Sequence, residues 1–312
     1  MAGLGTGTEP APPARPSRAE LEFYATPGPM TALAGDARLE SLLEVLPHDP
    51  EQLRRVLPGL VIHGDLQWVH GLDRRPDMAE MNLRPARAIL GTVLGRDNGP
   101  LVRPRAPQDR MVGVCRHFAT LYAALLRHQG TPARARCGFG GYLAPDAGVG
   151  GAESRREWID HWVTEYWDDG CDRWVRADPQ FDETMLARLA VTEDPADLRP
   201  EAFLTGGDAW LGHRWGSYDA QRFGIGELRG PWFVAGNVVR DLAALNKVEV
   251  LPWDVWGPLG AWIEAGPDDE LVDALAVATT SGSFDDVRAA YRSHPWLPVS
   301  DDASELVPVR EA

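Results

Sequence analysis

The spacing of the apolar residues changes once within residues 112–178, and this change constrains the fold more than any other feature of the sequence. The run VGVCRHFATLYAALLRHQG (112–130) carries one apolar stripe at helical spacing. The stripe consists of Phe118, Leu121, Tyr122, Leu125 and Leu126. Gly130 and Pro132 then stand where a helix would end. The sequence therefore predicts a helix that begins close to Cys115.

After this helix the apolar pattern has a period of two, which is typical of β-strands. We predict strands over ARARCGF (133–139), WIDHWVTEYW (158–167) and RWVRAD (173–178). A turn at 168–170 would join the last two strands as an antiparallel hairpin. The predicted fold class is α+β, with the cysteine-bearing helix packed on an antiparallel sheet and additional helices on both sides in sequence.

Composition divides the chain into five parts. Residues 1–20 are rich in Pro, Ala and Gly and predict a disordered tail, and residues 300–312 predict a frayed acidic tail. Residues 21–110 form a helical lead-in, and residues 111–185 hold the core. Residues 186–299 are predicted to be mostly helical and to pack on the core. Their many tryptophans are more typical of a buried core than of a surface that stacks on a flat ligand.

The charge balance excludes several classes of partner. The chain has 46 acidic and 31 basic residues and a formal charge of -15, which repels nucleic acid and anionic membrane surfaces. It has neither a membrane-spanning apolar stretch nor a signal-peptide pattern, so we expect a cytoplasmic protein. Three cysteines are too few for a disulfide framework, and His63 and His70 lack metal-ligand spacing. We expect no metal and no cofactor.

Cys115 stands at the predicted start of its helix, after Gly113. The unpaired N–H groups and the positive end of the helix dipole favour a thiolate there, and the thiolate is the nucleophilic form of cysteine. An inert buried thiol is the alternative reading of such a cysteine taken alone. Cys137 is predicted to lie in the core and Cys171 in the hairpin turn.

His161 lies in the middle of an aromatic strand, where a titratable ring needs a polar partner. In the predicted hairpin, His161 and Asp178 come from the open ends of neighbouring strands. A carboxylate at that position can accept the imidazole N–H and stabilise an imidazolium. Cys115, His161 and Asp178 therefore match the roles of a thiol triad.

These motifs also resemble a known family. GVCRHFA from Gly113, the step GTPARARCGF, DHWVTEYW and RWVRADP are similar to the core of bacterial transglutaminase-like proteins, which have a papain-like fold. The resemblance covers about 111–181 and implies that Cys115 is the nucleophile, His161 the base and Asp178 the orienting acid. The chain departs from the family pattern at Arg116 and His117 after the cysteine, and at Gln180 after Asp-Pro.

The expected oxyanion hole combines the backbone N–H of Cys115 with an upstream side chain, Gln67 or Trp68. Arg116, His117 and Trp162 are predicted at the edge of the substrate site. The glycines of GFGGY (138–142) are not followed by a phosphate-loop pattern, and they predict a lip over the cleft.

The implied chemistry is formation of a thioacyl intermediate on Cys115 from a peptide or a small amide, ester or thioester. Transfer to an amine makes the protein an acyltransferase, and transfer to water makes it an amidohydrolase. A cysteine peptidase is an alternative. A second alternative, from another class, is a non-catalytic binding or scaffold module whose Trp-rich C-terminal helices form the contact surface.

Overall fold

The structure is a computed structural model, and it describes residues 15–144, 156–299 and 307–308. The strands found in these residues are β1 (Val61–His63), β2 (Met111–Gly113), β3 (Ala133–Gly140), β4 (Trp158–Asp168), β5 (Arg173–Ala177), β6 (Phe203–Thr205), β7 (Phe223–Ile225), β8 (Leu228–Arg229), β9 (Asp254–Val255) and β10 (Val307–Pro308). The helices are α1 (Arg18–Ala25), α2 (Ala37–Leu43), α3 (Pro50–Val56), α4 (Met78–Met81), α5 (Ala86–Arg96), α6 (Cys115–His128), α7 (Glu183–Arg188), α8 (Gly206–Arg214), α9 (Pro231–Leu245), α10 (Leu259–Ala265), α11 (Asp269–Thr280) and α12 (Phe284–Tyr291). This mixture of helices and sheet confirms the predicted α+β class.

The central sheet has six strands in the order β6-β3-β4-β7-β8, and β5 pairs with β4 beside this path. β3, β4 and β5 are antiparallel neighbours, as the alternating patterns predict. β4 and β5 pair from Asp168 opposite Arg173 to Thr164 opposite Ala177. In this register Asp178 comes directly after β5, next to the part of β4 that contains His161.

α6 packs on β3 and β4, and it is buried on nearly every side rather than along one stripe. α3 and α5 of the N-terminal part cover the face of α6 that points away from the sheet. The helix ends at His128, and Gly130, which follows the C-cap residue Gln129, has a positive φ of 81° that suits glycine. α6 is thus the central helix of the molecule.

The C-terminal helices pack on the sheet through α9, which contacts β3 and, on its other side, α8 and α11. Trp210 and Trp262 lie in the core, whereas Trp215 is exposed. The predicted N-terminal tail overlaps α1, which begins at Arg18 and is anchored by a hydrogen bond from the Tyr24 hydroxyl to the Leu245 carbonyl at 2.9 Å.

β10, which lies inside the predicted acidic tail, pairs with β9. The remainder of that tail, residues 1–14 of the N-terminal tail and residues 145–155 lie outside the described residues. The predicted lip, GFGGY (138–142), forms the end of β3 and the start of a 3₁₀ turn (Gly141–Leu143).

Candidate active site

A short parallel ladder fixes the N-terminus of α6. β1 and β2 pair so that His63 lies opposite Gly113, and α6 begins after Val114. A Cβ atom at Gly113 would come within 3.0 Å of the His117 side chain. Glycine therefore lets the His117 ring fold back over the helix start, where its Nδ1 accepts the N–H of Val114 at 3.0 Å. The ladder and this cap hold Cys115 as the first residue of the helix.

Cys115 is 6% exposed. The N–H groups in the first turn of a helix have no partner within the helix, so that of Cys115 can serve a bound oxygen atom. The positive end of the helix dipole favours an anion at this position. The side chain of Cys115 lies close enough to the ring of His161 for the two groups to attract each other.

His161 lies in β4 opposite Gly138 and is almost completely buried. Its Nε2 is 2.8 Å from Oδ2 of Asp178, which leaves Nδ1 for Cys115. Burial opposes a charge on the ring, but attraction to Asp178 and Cys115 and the hydrogen bond to Asp178 outweigh it and raise the pKa of His161 to about 10. The ring is therefore an imidazolium at neutral pH.

Asp178 is completely buried directly after β5. Its carboxylate also accepts the Tyr142 hydroxyl at 2.6 Å and the N–H of Gln180 at 3.0 Å. Its carbonyl oxygen accepts a hydrogen bond from Nη1 of Arg54 at 3.3 Å. Burial works to raise the pKa of this carboxyl, yet His161, Tyr142 and the Gln180 N–H hold it below its usual range. Asp178 is therefore a fixed anion that orients the ring.

Sequence reasoning missed Tyr142. It lies in a 3₁₀ turn (Gly141–Leu143) after β3, with its ring edge-on to His161 at a centroid distance of 6.1 Å and an angle of 89°. Burial and the nearby charge of Asp178 raise the pKa of Tyr142 well above its usual range, so it stays a neutral donor. A single tyrosine after a glycine run gives no local signal of this role. The pairing of Gly138 with His161 could have indicated that the end of β3 lies near the site.

Arg116, His117 and Trp162, which were predicted at the edge of the substrate site, all have fully buried side chains. Arg116 donates hydrogen bonds to the carbonyl oxygen of Arg84 at 2.6 Å and to that of Glu249. His117 caps the helix, and Trp162 belongs to the main hydrophobic cluster. The physical reason is that α6 and β4 are covered on both faces, so side chains beside the reactive residues point into protein.

Gln67 and Trp68, the predicted candidates for the second oxyanion donor, differ in their surroundings. The Gln67 amide nitrogen donates to the carbonyls of Gly64 and Arg74 at 2.9 and 3.4 Å, and its oxygen accepts the Arg74 side chain at 2.6 Å. Trp68 is 52% exposed. Within 15–144 and 156–299, no hydrogen bond joins Gln67 or Trp68 to Cys115. The amide of Gln67 is thus engaged in holding its own loop.

The other candidate residues have partners of their own or lie away from Cys115, His161 and Asp178. Nδ1 of His63 accepts a backbone N–H at 3.3 Å, which is the capping role expected of it. Nε2 of His70 lies 3.6 Å from Oδ2 of Asp182. Cys137 is buried and Cys171 is exposed, as predicted. The described part of the chain contains no group of three metal-ligating side chains, and no helix in it could cross a membrane.

Comparison with known proteins gives a family. A model of the transglutaminase-like superfamily matches residues 105–179, whereas no curated protein matches the chain. Among solved structures, a proposed cysteine protease from Cytophaga hutchinsonii aligns at 14% identity and a TM-score of 0.34, over 62% of this chain and 50% of that one. The chain thus spans about half the length of that protein. Residues 105–179, which include Cys115, His161 and Asp178, thus match the transglutaminase-like superfamily.

Proposed function

We propose that the protein is a thiol acyl-transfer enzyme that forms a thioacyl intermediate on Cys115. One observation carries this proposal: the buried ring of His161 is hydrogen-bonded to the carboxylate of Asp178 and lies close enough to Cys115 for the two groups to attract each other. A structural histidine needs one partner, whereas a chain of nucleophile, base and carboxylate is what covalent catalysis requires.

In the proposed reaction each of the three residues has a role. The Cys115 thiolate attacks the carbonyl carbon of an amide, ester or thioester, and the electron pair of the C=O bond moves to oxygen. When the C=O bond re-forms, the leaving group departs with the proton from Nδ1 of His161. Asp178 holds Nε2 at 2.8 Å, so the ring keeps its orientation while its charge changes.

The intermediate is resolved when His161 takes a proton from the second substrate, an amine or water, which then attacks the thioester carbonyl. An amine acceptor makes the protein an acyltransferase, and water makes it an amidohydrolase or, on a peptide, a peptidase. We propose a peptide or a small amide or thioester as the acyl donor, because an imidazolium acid is needed for poor leaving groups such as amines.

The test is capture of the acyl group on Cys115. Full-length protein carrying Cys171→Ser, which removes the exposed competing thiol, is mixed with p-nitrophenyl acetate and analysed by intact mass and nitrophenolate release. We expect one acetyl group per chain and none on the matched variant that also carries Cys115→Ala. Added glycinamide or hydroxylamine then reports whether an amine competes with water for the acyl group. Equal acetylation of both variants would reject the enzyme and favour the binding-module alternative.

A further inference from the structure

We propose that His63 supplies the second hydrogen bond of the oxyanion hole, through its Nε2–H, beside the backbone N–H of Cys115. This inference rests on the proposed acyl-transfer function. It replaces Gln67 and Trp68, and it gives a role to a residue that the triad does not use.

The position of His63 comes from the β1–β2 ladder, in which His63 lies opposite Gly113. Gly113 precedes Cys115 by two residues, so β1 ends beside the start of α6. His63 is also close enough to His161 and Asp178 for their charges to act on its ring. Three independent elements, β1, α6 and β4, therefore converge on one place.

The protonation state of His63 suits a neutral donor. Its Nδ1 accepts the N–H of Asp65 at 3.3 Å, so in the neutral ring the proton lies on Nε2. Burial, together with repulsion from the His161 imidazolium, lowers the pKa of His63 to about 3. A neutral ring can donate to an oxyanion without repelling the imidazolium of His161.

Nε2 of His63 is free to serve a ligand. Nothing in the described ranges 15–144 and 156–299 accepts a hydrogen bond from it, and the residue is partly accessible rather than sealed in the core. In contrast, Gln67 directs its amide N–H groups at two carbonyl oxygens.

Attack on the substrate carbonyl puts a negative charge on its oxygen atom, and the two proposed donors would stabilise this charge. As Sγ of Cys115 bonds to the carbonyl carbon, the π pair moves to oxygen, and the resulting oxyanion accepts hydrogen bonds from Nε2–H of His63 and N–H of Cys115. No proton leaves His63. When the C=O bond re-forms, the leaving group departs with the proton of His161.

Two isosteric substitutions separate this role from the capping role of His63. In His63→Asn the side-chain oxygen can replace Nδ1 as the acceptor for Asp65, but no donor reaches the position of Nε2. In His63→Gln the amide nitrogen reaches that position. Removing one oxyanion donor costs about 10²–10³-fold in rate. We expect a loss of that size in Cys115 acetylation by p-nitrophenyl acetate for His63→Asn, and recovery to within about tenfold for His63→Gln.

Alkylation of Cys115 by iodoacetamide is the matched control, because it forms no oxyanion. Both variants should alkylate at the wild-type rate and keep the wild-type circular dichroism. Wild-type acetylation rates in His63→Asn, or equal losses of acetylation and alkylation, would overturn the role of His63 while leaving the triad intact. Failure of the proposed function itself would differ, because Cys115 in the unmodified protein would then take up no acetyl group.

Discussion

Two buried carboxylates of the β4–β5 hairpin, Glu165 and Asp178, have partners of different kinds. Glu165 lies in β4 opposite Arg176. It accepts hydrogen bonds from Arg134, Arg136 and Arg176 at 2.8, 3.0 and 2.9 Å. Burial opposes its ionisation, but the three guanidinium groups hold the pKa of Glu165 well below its usual range. An arginine does not release its proton in proteins, so every charge in this cluster is permanent.

Asp178 is equally buried, yet its cationic partner is a histidine. An imidazolium can give up its proton, and the nucleophile Cys115 lies on the other side of the same ring. The hairpin thus carries a fixed ion cluster and a cluster that can move a proton, side by side on one pair of strands. The comparison indicates that the type of cationic partner, rather than the depth of burial, distinguishes the two carboxylates.

Asp178→Asn should have the largest functional effect. Loss of the orienting carboxylate costs about 10⁴-fold in the related chemistry of a serine triad. We expect a similar fall in kcat/KM for p-nitrophenyl acetate or a better substrate, with only modest loss of stability, because His161 can become neutral when its anion is removed. Kinetics and urea unfolding of the same samples measure both quantities.

The pH profile gives the control for this prediction. The protonated ring of His161 donates the proton to the leaving group. A raised pKa of His161 therefore keeps the enzyme active at higher pH. For an amide or alkyl ester substrate, the alkaline limb of wild-type kcat/KM should lie at about 10. Asp178→Asn removes the attraction of the carboxylate and should lower that limb towards the ordinary value of histidine, about 6.5. An unmoved limb would contradict the assignment of His161 as the proton donor.

Glu165→Gln should show the opposite pattern, namely a large loss of stability with little loss of activity. It leaves buried guanidinium groups without a shared anion, and breaking a buried ion pair from one side costs about 3–5 kcal/mol of unfolding free energy. The fraction of chains that stays folded should still acetylate Cys115 at close to the wild-type rate. Urea midpoints, with rates normalised to folded protein, test this prediction. If Glu165→Gln lost activity without losing stability, the two clusters would not be separate.

These two clusters also show what the sequence can predict. Strand alternation and the turn near Gly170 predict the β4–β5 hairpin, and hence the proximity of His161 and Asp178, because the residues that set the register are local. Cys115 at a helix start is equally local. The sequence could not place Tyr142 or His63, because their positions depend on pairings between segments far apart in sequence.

The burial of Arg116 and His117 was unexpected for a related reason. Arg116 and His117 are polar residues in the first turn of a helix, and local pattern favours placing such residues in solvent. Their burial is decided by what covers α6, namely the N-terminal helices and the segment around Glu249. Strands β1 and β2 have only three residues each, which is too short for an alternating apolar pattern to be recognised in the sequence.

Tyr142→Phe should have the smallest free-energy effect of the three substitutions, and the sign of its pH shift distinguishes it from Asp178→Asn. The hydroxyl donates to Asp178 at 2.6 Å, and a hydrogen bond to a charged group contributes about 1.5–3 kcal/mol. Because His161 and the Gln180 N–H still hold the carboxylate, we expect only about a tenfold fall in kcat/KM. A carboxylate with one donor fewer attracts the His161 proton more strongly, so the alkaline limb should stay in place or move upward. A downward shift would mean that Tyr142 acts on His161 directly, through its ring-edge contact, and not through the carboxylate that both residues share.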